Sequence, residues 1–398
     1  MTKLADRVLQ MEEAATLKMA QLARDLQAEG KNIISLTVGE PDFDTPERIR
    51  QAAKDALDQG YTRYTPVNGI MESRKAVCEK LRRENGLEYS PAQIVLSTGA
   101  KQSIMNACLA LINPGDEVIL LAPFWVSYTE MVKMAGGVPR IVKCGIEADF
   151  KVSPAQLEAA ITDRTKVMLI NSPSNPTGAV YSREELEAIA AIVARHPDLY
   201  VISDEIYEHI IFGGAEHVSF ASLPGMWERT ITVNGLSKGF AMTGWRLGYL
   251  AAPEWIAAAV TKVQGQFTSG PNAVTQVALQ TALDGDLSES HHMRDVYERR
   301  KAMVRDLLLE IPGLKVNDPQ GAFYIFPDAS AYIDGQKIKN SDDLGEYFLT
   351  QAAVAVVPGS AFGDDAAFRI SCAASDEELR TGVARIADAL SLLRTGGG

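Results

Sequence analysis

The chain has 398 residues, enough for about two or three domains of roughly 150 residues each. Its 46% hydrophobic and 23% charged residues are typical of a globular protein and exclude a collagen or a largely disordered chain. Acidic residues outnumber basic ones, 51 against 39, and the net charge of −12 disfavours binding to nucleic-acid phosphates and to anionic membranes.

The cysteines and histidines form no metal-binding or disulfide pattern. Cys78, Cys108, Cys144 and Cys372 are widely scattered, and the histidines form no HExxH motif. The longest largely apolar run, 118–126, is far too short to span a bilayer, and the charged N-terminus lacks the apolar core of a signal peptide. We therefore expect a cytoplasmic protein with no metal site, no membrane partner and no nucleic-acid partner.

In chain order, the first predicted elements are a helix within the first 30 residues and a short strand at 33–36. The next segment, GEPDFDTP at 39–46, is rich in turn-forming residues and suits a plain connection or a binding loop. Thr45 followed by Pro46 predicts a helix N-cap with proline at the first helical position.

Short apolar runs then alternate with longer helical stretches from about residue 46 to 285. Strands are predicted at 93–97, 117–121, 167–170, 200–202, 230–233 and 246–251, and helices at 102–112, 128–135, 183–196 and 253–264. This alternation predicts an α/β fold whose mostly parallel sheet carries helices on both faces. The strands are nearly all apolar, as doubly covered strands should be.

The pattern changes near residue 286. The predicted elements there are a long charged helix at 288–310, β-runs at 322–326, 354–357 and 368–371, a helix near 342–352 and a closing helix at 376–393. We predict a large domain at 46–285. Residues 1–45 and 286–398 would form a smaller α+β domain, since chain termini often lie near one another.

Polar residues follow several of the predicted strands. Lys238 lies in a small-residue loop, either as a surface lysine or as a desolvated amine that could act as a nucleophile. Asp204 directly follows a strand, either as a helix N-cap or as a buried carboxylate that could hold a protonated pyridine nitrogen. Tyr207, one helical turn later, could bind a phenolic oxygen, and Asn175 follows a third strand as a neutral donor and acceptor.

Two further features indicate anion binding. The turn at 97–102 (STGAKQ) joins a strand to a helix, and its small residues would let backbone N–H groups approach a phosphate. The turn matches neither the P-loop nor the GxGxxG pattern, which argues against nucleotide binding of those kinds. Arg246 follows the Lys238 loop and could clamp an anion with its guanidinium group.

These segments occur in one chain together with GEPDFDTP, NPTGAVY, SDEIYEHI, SKGFAMTGWRLGY and VVPGSAFG. With them the sequence resembles the class I pyridoxal-phosphate aminotransferases of fold type I, over about residues 7–393. It is most similar to the bacterial aspartate aminotransferase subgroup, which also contains prephenate aminotransferases. The resemblance implies a seven-stranded, mostly parallel sheet in a large cofactor domain, a smaller α+β domain, and pyridoxal 5'-phosphate as cofactor.

The resemblance also implies roles for residues around the cofactor. Lys238 would be the Schiff-base lysine that moves the substrate proton, and Asp204 would keep the ring nitrogen protonated. Tyr207 and Asn175 would bind the ring hydroxyl oxygen, and Trp125 would stack on the ring beside the substrate. The residues implied to hold the phosphate are Gly99, Ala100, Lys101, Arg246, Ser237 and, from the other subunit of a homodimer, Tyr64.

Substrate binding is implied for a second set of residues. Arg369 would bind the α-carboxylate, assisted by Asn175 and the Gly39 backbone. Lys101 matches a lysine that takes the distal carboxylate in the bacterial subgroup, and Thr16 matches a substrate-side threonine there. The mammalian-type enzymes use an arginine of the partner subunit instead, and the stretch 264–271 contains none.

We therefore expect a ping-pong aminotransferase that converts L-aspartate and 2-oxoglutarate to oxaloacetate and L-glutamate. Prephenate-active members often carry a basic residue near position 12, where this chain has Glu12 and Glu13. A prephenate, aromatic or alanine aminotransferase, or a carbon–sulfur lyase, remains an alternative on the same fold. A non-enzymatic effector-binding regulator is a remote alternative, because such proteins carry an N-terminal DNA-binding domain and only about 30 residues precede the first loop motif here.

Overall fold

The computed structural model describes residues 3–9, 11 and 15–395. In this part of the chain the helices α1 to α13 are Asp6–Leu9, Ala15–Ala28, Glu47–Asp58, Met71–Asn85, Ala100–Leu111, Ser127–Met134, Pro154–Ala160, Arg183–Val193, Glu254–Phe267, Ala273–Ala282, Ser288–Leu309, Ser341–Tyr347 and Asp376–Thr395. The strands β1 to β12 are Ile34–Ser35, Ile94–Ser97, Glu117–Ala122, Val138–Lys143, Thr165–Asn171, Tyr200–Asp204, Thr230–Gly235, Gly248–Ala251, Tyr324–Ile325, Val354–Ala355, Val357–Pro358 and Phe368–Ser371.

A seven-stranded sheet forms the centre of the molecule, in the order β2-β8-β7-β6-β5-β3-β4. Its strands run parallel except for β8, which is antiparallel to both of its neighbours, β2 and β7. The predicted α/β fold with a mostly parallel seven-stranded sheet is confirmed. Among the described residues, no helix combines the length and the apolar character that crossing a membrane would require.

Both faces of this sheet are buried by helices. In β5, Val167 and Leu169 belong to one core cluster, whereas Met168 and Ile170 belong to another on the opposite face. Successive side chains of a strand point to opposite faces, so a strand covered on both sides needs apolar residues throughout. This explains why these strands were readable as continuous apolar runs.

The edge strand β4 was missed for the opposite reason. It lies at the end of the sheet, most of its residues are partly or fully exposed, and it contains Pro139. An edge strand tolerates proline and polar residues because one of its sides makes no ladder hydrogen bonds. Its sequence therefore lacks the apolar run by which the buried strands were recognised.

Two local predictions are corrected by the backbone and by hydrogen bonds. Strand β8 begins at Gly248 rather than at 246, because Arg246 adopts a left-handed turn conformation with φ 54°. Thr45 is not a helix N-cap: its hydroxyl donates to the Ala241 carbonyl at 2.7 Å, and helix α3 begins after Pro46 without a side-chain cap.

The C-terminal part of the chain forms two small sheets and packs with the N-terminal segment. Strands β11, β12 and β9 form one antiparallel sheet, and β1 pairs in parallel with β10 in the other. Helices α11, α12 and α13 bury their apolar faces with these strands in a single large cluster. The domain limits 46–285, 1–45 and 286–398 stay a prediction.

Candidate active site

A cavity of about 490 Å³ opens at the carboxyl edge of the large sheet. Asn171 ends β5 and Asp204 ends β6, and the loop that follows β7 carries Lys238, so neighbouring parallel strands deliver these side chains to one edge. The cavity is lined by eleven of the residues singled out from the sequence: Gly39, Ala100, Lys101, Trp125, Asn175, Asp204, Tyr207, Ser237, Lys238, Arg246 and Arg369.

Lys238 lies on the floor of this cavity. Its ammonium group donates to the Gly39 carbonyl and lies 5.9 Å and 5.8 Å from the ring centroids of Tyr207 and Phe323. Burial, and to a smaller extent the nearby cationic groups of Arg369 and Arg246, lower the pKa of Lys238 to about 8. The amine can therefore lose its proton near neutral pH and act as a nucleophile or a base.

Asp204 is a buried carboxylate with two internal donors. One of its oxygens accepts from the Tyr128 hydroxyl at 2.6 Å and the other from the Ile206 backbone N–H at 3.3 Å. Burial raises the pKa of Asp204 to about 6, although both hydrogen bonds act in the opposite direction. No helix starts at this residue, so the N-cap interpretation is wrong. The arrangement presents a carboxyl group that a cationic ligand would ionise.

Arg369 is held between two aromatic rings and is only 2% exposed. Its Nη1 donates to Asn175 Oδ1 at 3.0 Å and its Nη2 to the Thr37 carbonyl at 2.8 Å. The guanidinium group lies 4.3 Å from the ring centroid of Tyr324 and 5.2 Å from that of Phe362. Its buried Nε has no hydrogen-bond partner among the described residues. Asn175 and Thr37 take two of the five guanidinium N–H donors, so donors remain for an anionic ligand.

A cradle for a second anion lies at the start of helix α5. Gly99 has φ +85°, and a Cβ there would lie 2.6 Å from Nη2 of Arg246, so only glycine lets this guanidinium lie across the turn. Nη1 of Arg246 donates a hydrogen bond to the Thr243 carbonyl at 2.9 Å, which orients the guanidinium group. The twelve-residue helix has no acidic residue in its first turn, and its free N–H groups favour an anion.

Lys101 completes the cationic side of the cavity. Its ammonium group lies 5.0 Å from the ring centroid of Trp125. Partial burial lowers the pKa of Lys101, and the Arg246 charge lowers it further. Ser237 lies buried in the same wall.

One predicted side chain, that of Tyr64, is not brought to the cavity. The Tyr64 side chain is 100% exposed and does not line it. Thr16 belongs to helix α2, but its side chain lies outside the described residues, as do Glu12 and Glu13.

Three residues of the site were missed by sequence reasoning about roles. Tyr128 donates to Asp204, the Asn171 side chain donates to the Asp204 carbonyl at 2.8 Å, and the Tyr324 hydroxyl lies 2.9 Å from that of Tyr207. Asn171 carried a usable signal, since it ends an apolar strand. Tyr324 lies in an apolar run and Tyr128 lies in a helical stretch, and neither carried such a signal.

A buried charge network supports the site from behind. Lys80, with no exposed side-chain surface, donates to Glu208. Glu208 also accepts from the Asn234 side chain at 2.7 Å, and Asn234 lies in β7 shortly before the loop of Lys238. On the far side of that loop, a Cβ at Gly239 would lie 2.7 Å from a ring nitrogen of His209. The network therefore contacts both ends of the Lys238 loop.

A half-buried lysine, a buried carboxylate and two arginines at one edge of an α/β sheet suit an enzyme of amine and carbonyl chemistry. Residues 31–386 match the family model for aminotransferase class I and II. The chain belongs to this family, and the protein is an aminotransferase.

Individual relatives agree along almost the whole chain. A protein of Petunia hybrida, named bifunctional aspartate aminotransferase and glutamate/aspartate-prephenate aminotransferase, is 50% identical over 98% of this chain and 83% of its own length. The aspartate/prephenate aminotransferase of Cereibacter sphaeroides is 46% identical over 97% of this chain and 98% of its own. The solved aspartate aminotransferase of Thermus thermophilus with maleate superposes with a TM-score of 0.92 at 43% identity, covering 98% of this chain and 100% of that chain.

Proposed function

We propose that the protein catalyses pyridoxal-phosphate-dependent transamination, with L-aspartate as amino donor and 2-oxoglutarate as acceptor in a ping-pong reaction. The observation that carries the proposal is one cavity lined both by Lys238, whose pKa is lowered, and by Arg369, whose guanidinium group keeps unused donors. A base and a free carboxylate-binding donor in one cavity are what proton abstraction from an amino acid requires. The names of the relatives support aspartate as substrate.

The residues present fit the cofactor. Its phosphate suits the cradle under Arg246 at Gly99, where no side chain could be accommodated. Asp204 would hold the ring nitrogen, since a cationic partner would offset the burial that raises the pKa of this carboxyl. When bound, the cofactor supplies an electron sink for the negative charge left at the substrate Cα after its proton is removed.

The residues of this chain would orient the substrate and move its proton. Arg369 would bind the α-carboxylate through the guanidinium N–H groups that Asn175 and Thr37 leave free, while those two residues hold the guanidinium plane. Lys238 Nζ would take the proton from the substrate Cα and hold it for transfer. The Gly39 carbonyl, which accepts from this amine, limits the positions that Nζ can take.

A homodimer and a cytoplasmic location are part of the proposal. Tyr64 is completely exposed and Phe267 is 71% exposed, which leaves aromatic surface that a partner subunit would bury. In such a dimer Tyr64 would reach the partner's phosphate site. The four cysteines are all free thiols, which supports a reducing compartment.

Prephenate is the second candidate substrate. The relatives from Petunia and Cereibacter carry prephenate in their names as well as aspartate. Prephenate has a second carboxylate, so Lys101 would serve both substrates in the same way. The two candidates are distinguished by the amino acceptor that restores the visible band of the enzyme.

The test is a spectral titration of the purified protein with a panel of amino acids. We expect a yellow protein whose visible band is converted by L-aspartate and L-glutamate and restored by the matching 2-oxo acids. Lys238→Ala should remove the covalent attachment, and no band conversion by amino acids should remain. A protein that gains no visible band on addition of pyridoxal phosphate would contradict the proposal.

The specificity for a dicarboxylic substrate depends on Lys101. We expect Lys101→Ala to lower kcat/KM for aspartate by about 10- to 100-fold, since a charge-assisted hydrogen bond contributes about 1.5–3 kcal/mol. Alanine, which has no distal carboxylate, should change by less than about threefold. Equal losses for the two substrates would refute the assignment of Lys101.

A further inference from the structure

Tyr324 contacts three functional parts of the cavity at once. It lies in β9, is 1% exposed, and lines the cavity. Its hydroxyl oxygen is 2.9 Å from that of Tyr207, its ring is 4.3 Å from the Arg369 guanidinium carbon, and a Cβ at Gly39 would lie 3.3 Å from its hydroxyl. Tyr324 therefore connects Tyr207, which is proposed to bind the phenolic oxygen of the cofactor, with Arg369, which is proposed to bind the substrate carboxylate.

The hydroxyl pair has one arrangement that is compatible with the proposed function. Each hydroxyl can donate one hydrogen bond and accept others. If Tyr207 donates to the phenolic oxygen of the cofactor, it cannot donate to Tyr324 as well, so Tyr324 must be the donor between them. A hydroxyl that accepts a hydrogen bond becomes a stronger donor, so Tyr324 strengthens the bond that Tyr207 makes.

The ring of Tyr324 acts on Arg369 independently of its hydroxyl. Arg369 packs between Tyr324 and Phe362, and its outer nitrogens are tied to Asn175 and Thr37. The flat ring face limits the guanidinium to one plane and attracts its charge in a buried setting. Tyr324 thus has two separable parts, a hydroxyl directed at Tyr207 and a ring face directed at Arg369.

We infer that Tyr324 is a positioning residue for transamination, which sets the hydrogen-bond strength of Tyr207 through its hydroxyl and the plane of Arg369 through its ring. The inference rests on the proposed function. The Tyr207 hydroxyl, donating to the phenolic oxygen of the cofactor, stabilises negative charge on that oxygen. The charge is greatest when the Lys238 nitrogen carries no proton, so a strong Tyr207 hydrogen bond favours the deprotonated nitrogen. Losing the Tyr324 hydroxyl should therefore raise the pH at which that proton leaves.

The experiment compares Tyr324→Phe, Tyr324→Leu and wild type, each loaded with pyridoxal phosphate. In Tyr324→Phe we expect the pH midpoint of the visible band to rise by about 0.5 to 1 unit and kcat to fall by about 3- to 10-fold, the size of one hydrogen bond. The KM for aspartate and the Kd for maleate should stay within about twofold, because the ring remains. Tyr324→Leu should in addition weaken maleate binding by about 10-fold.

Tyr332→Phe is the matched control. Tyr332 is also buried in the C-terminal part of the chain and its hydroxyl donates to the Pro312 carbonyl, but it does not line the cavity. Its variant should lose comparable thermal stability without any shift of the pH midpoint. An equal shift in Tyr332→Phe, or an unchanged midpoint and kcat in Tyr324→Phe, would overturn the inference while the wild-type band still supports the proposed function. A wild type without a visible band would overturn both.

Discussion

Replacing Arg369 by lysine tests how the cavity binds a carboxylate. The substitution keeps one positive charge but removes the planar fork of donors. In the structure that fork serves Asn175 at 3.0 Å and Thr37 at 2.8 Å and still leaves Nε free. A lysine ammonium cannot occupy all three directions at the same distances, so substrate binding and the hold on Asn175 should both suffer.

The expected loss follows from these contacts. Asn175 and Thr37 take two of the five guanidinium N–H donors, so two of the others can donate to the α-carboxylate. At about 1.5–3 kcal/mol for each such charge-assisted hydrogen bond, about 3–4 kcal/mol of transition-state binding should be lost. At 1.36 kcal/mol per tenfold, kcat/KM should fall by roughly 150- to 1000-fold. Because every amino acid has the α-carboxylate, aspartate and alanine should lose the same factor, unlike in Lys101→Ala.

The assay is steady-state transamination with both amino donors, at measured cofactor occupancy. Arg229→Lys is a matched control, since Arg229 likewise donates two hydrogen bonds, to the Val193 carbonyl at 3.2 Å and to the His196 carbonyl at 3.1 Å, and its buried Nε has no partner among the described residues. It does not line the cavity. A decrease in kcat/KM of less than about fivefold in Arg369→Lys would refute the reasoning, as would an equal decrease in the control.

Two further predictions concern buried charges. Lys80→Met should destabilise the fold by about 3–5 kcal/mol in urea titrations at pH 7, because it leaves Glu208 buried without its main partner. Burial would raise the pKa of Glu208, but Lys80 and the neighbouring histidines hold this pKa well below the usual range. The stability difference between wild type and Lys80→Met should therefore shrink as the pH falls below about 4. A stability difference that stays constant over this pH range would contradict the prediction. In the cofactor-free protein, the rate at which Lys238 is acylated should rise with pH with a midpoint of about 8, because only the neutral amine reacts. Peptide mass spectrometry measures this rate. A midpoint above about 10 would contradict the argument that burial lowers the pKa of Lys238.

The central sheet was predictable because its strands are covered on both faces. Within β5, for example, every residue from Val167 to Ile170 is apolar and buried, and such runs stand out against the helical stretches between them. The same reasoning fails at β4, which is exposed and needs no such run. It also fails at Arg246, where a left-handed turn interrupts what looked like one strand.

The site residues that could be predicted from the sequence are those at or just after the end of a strand. Asp204 and Lys238 lie beyond neighbouring parallel strands, so topology alone places them at one edge. Arg369 was expected only from the family resemblance, since a strand arginine is ordinarily solvated. Tyr128 and Tyr324 reach the cavity through packing between distant segments, which no local pattern records.

The cationic character of the cavity also determines when Lys238 is neutral. Arg369 and Arg246 both lower the pKa of Lys238, whereas the Glu40 carboxylate raises it. A phosphate at Arg246 and a carboxylate at Arg369 would neutralise the two charges that lower it. Anion binding should therefore increase the proton affinity of the Lys238 amine, so that Lys238 is a good nucleophile before the ligands arrive and a good proton acceptor once they are bound.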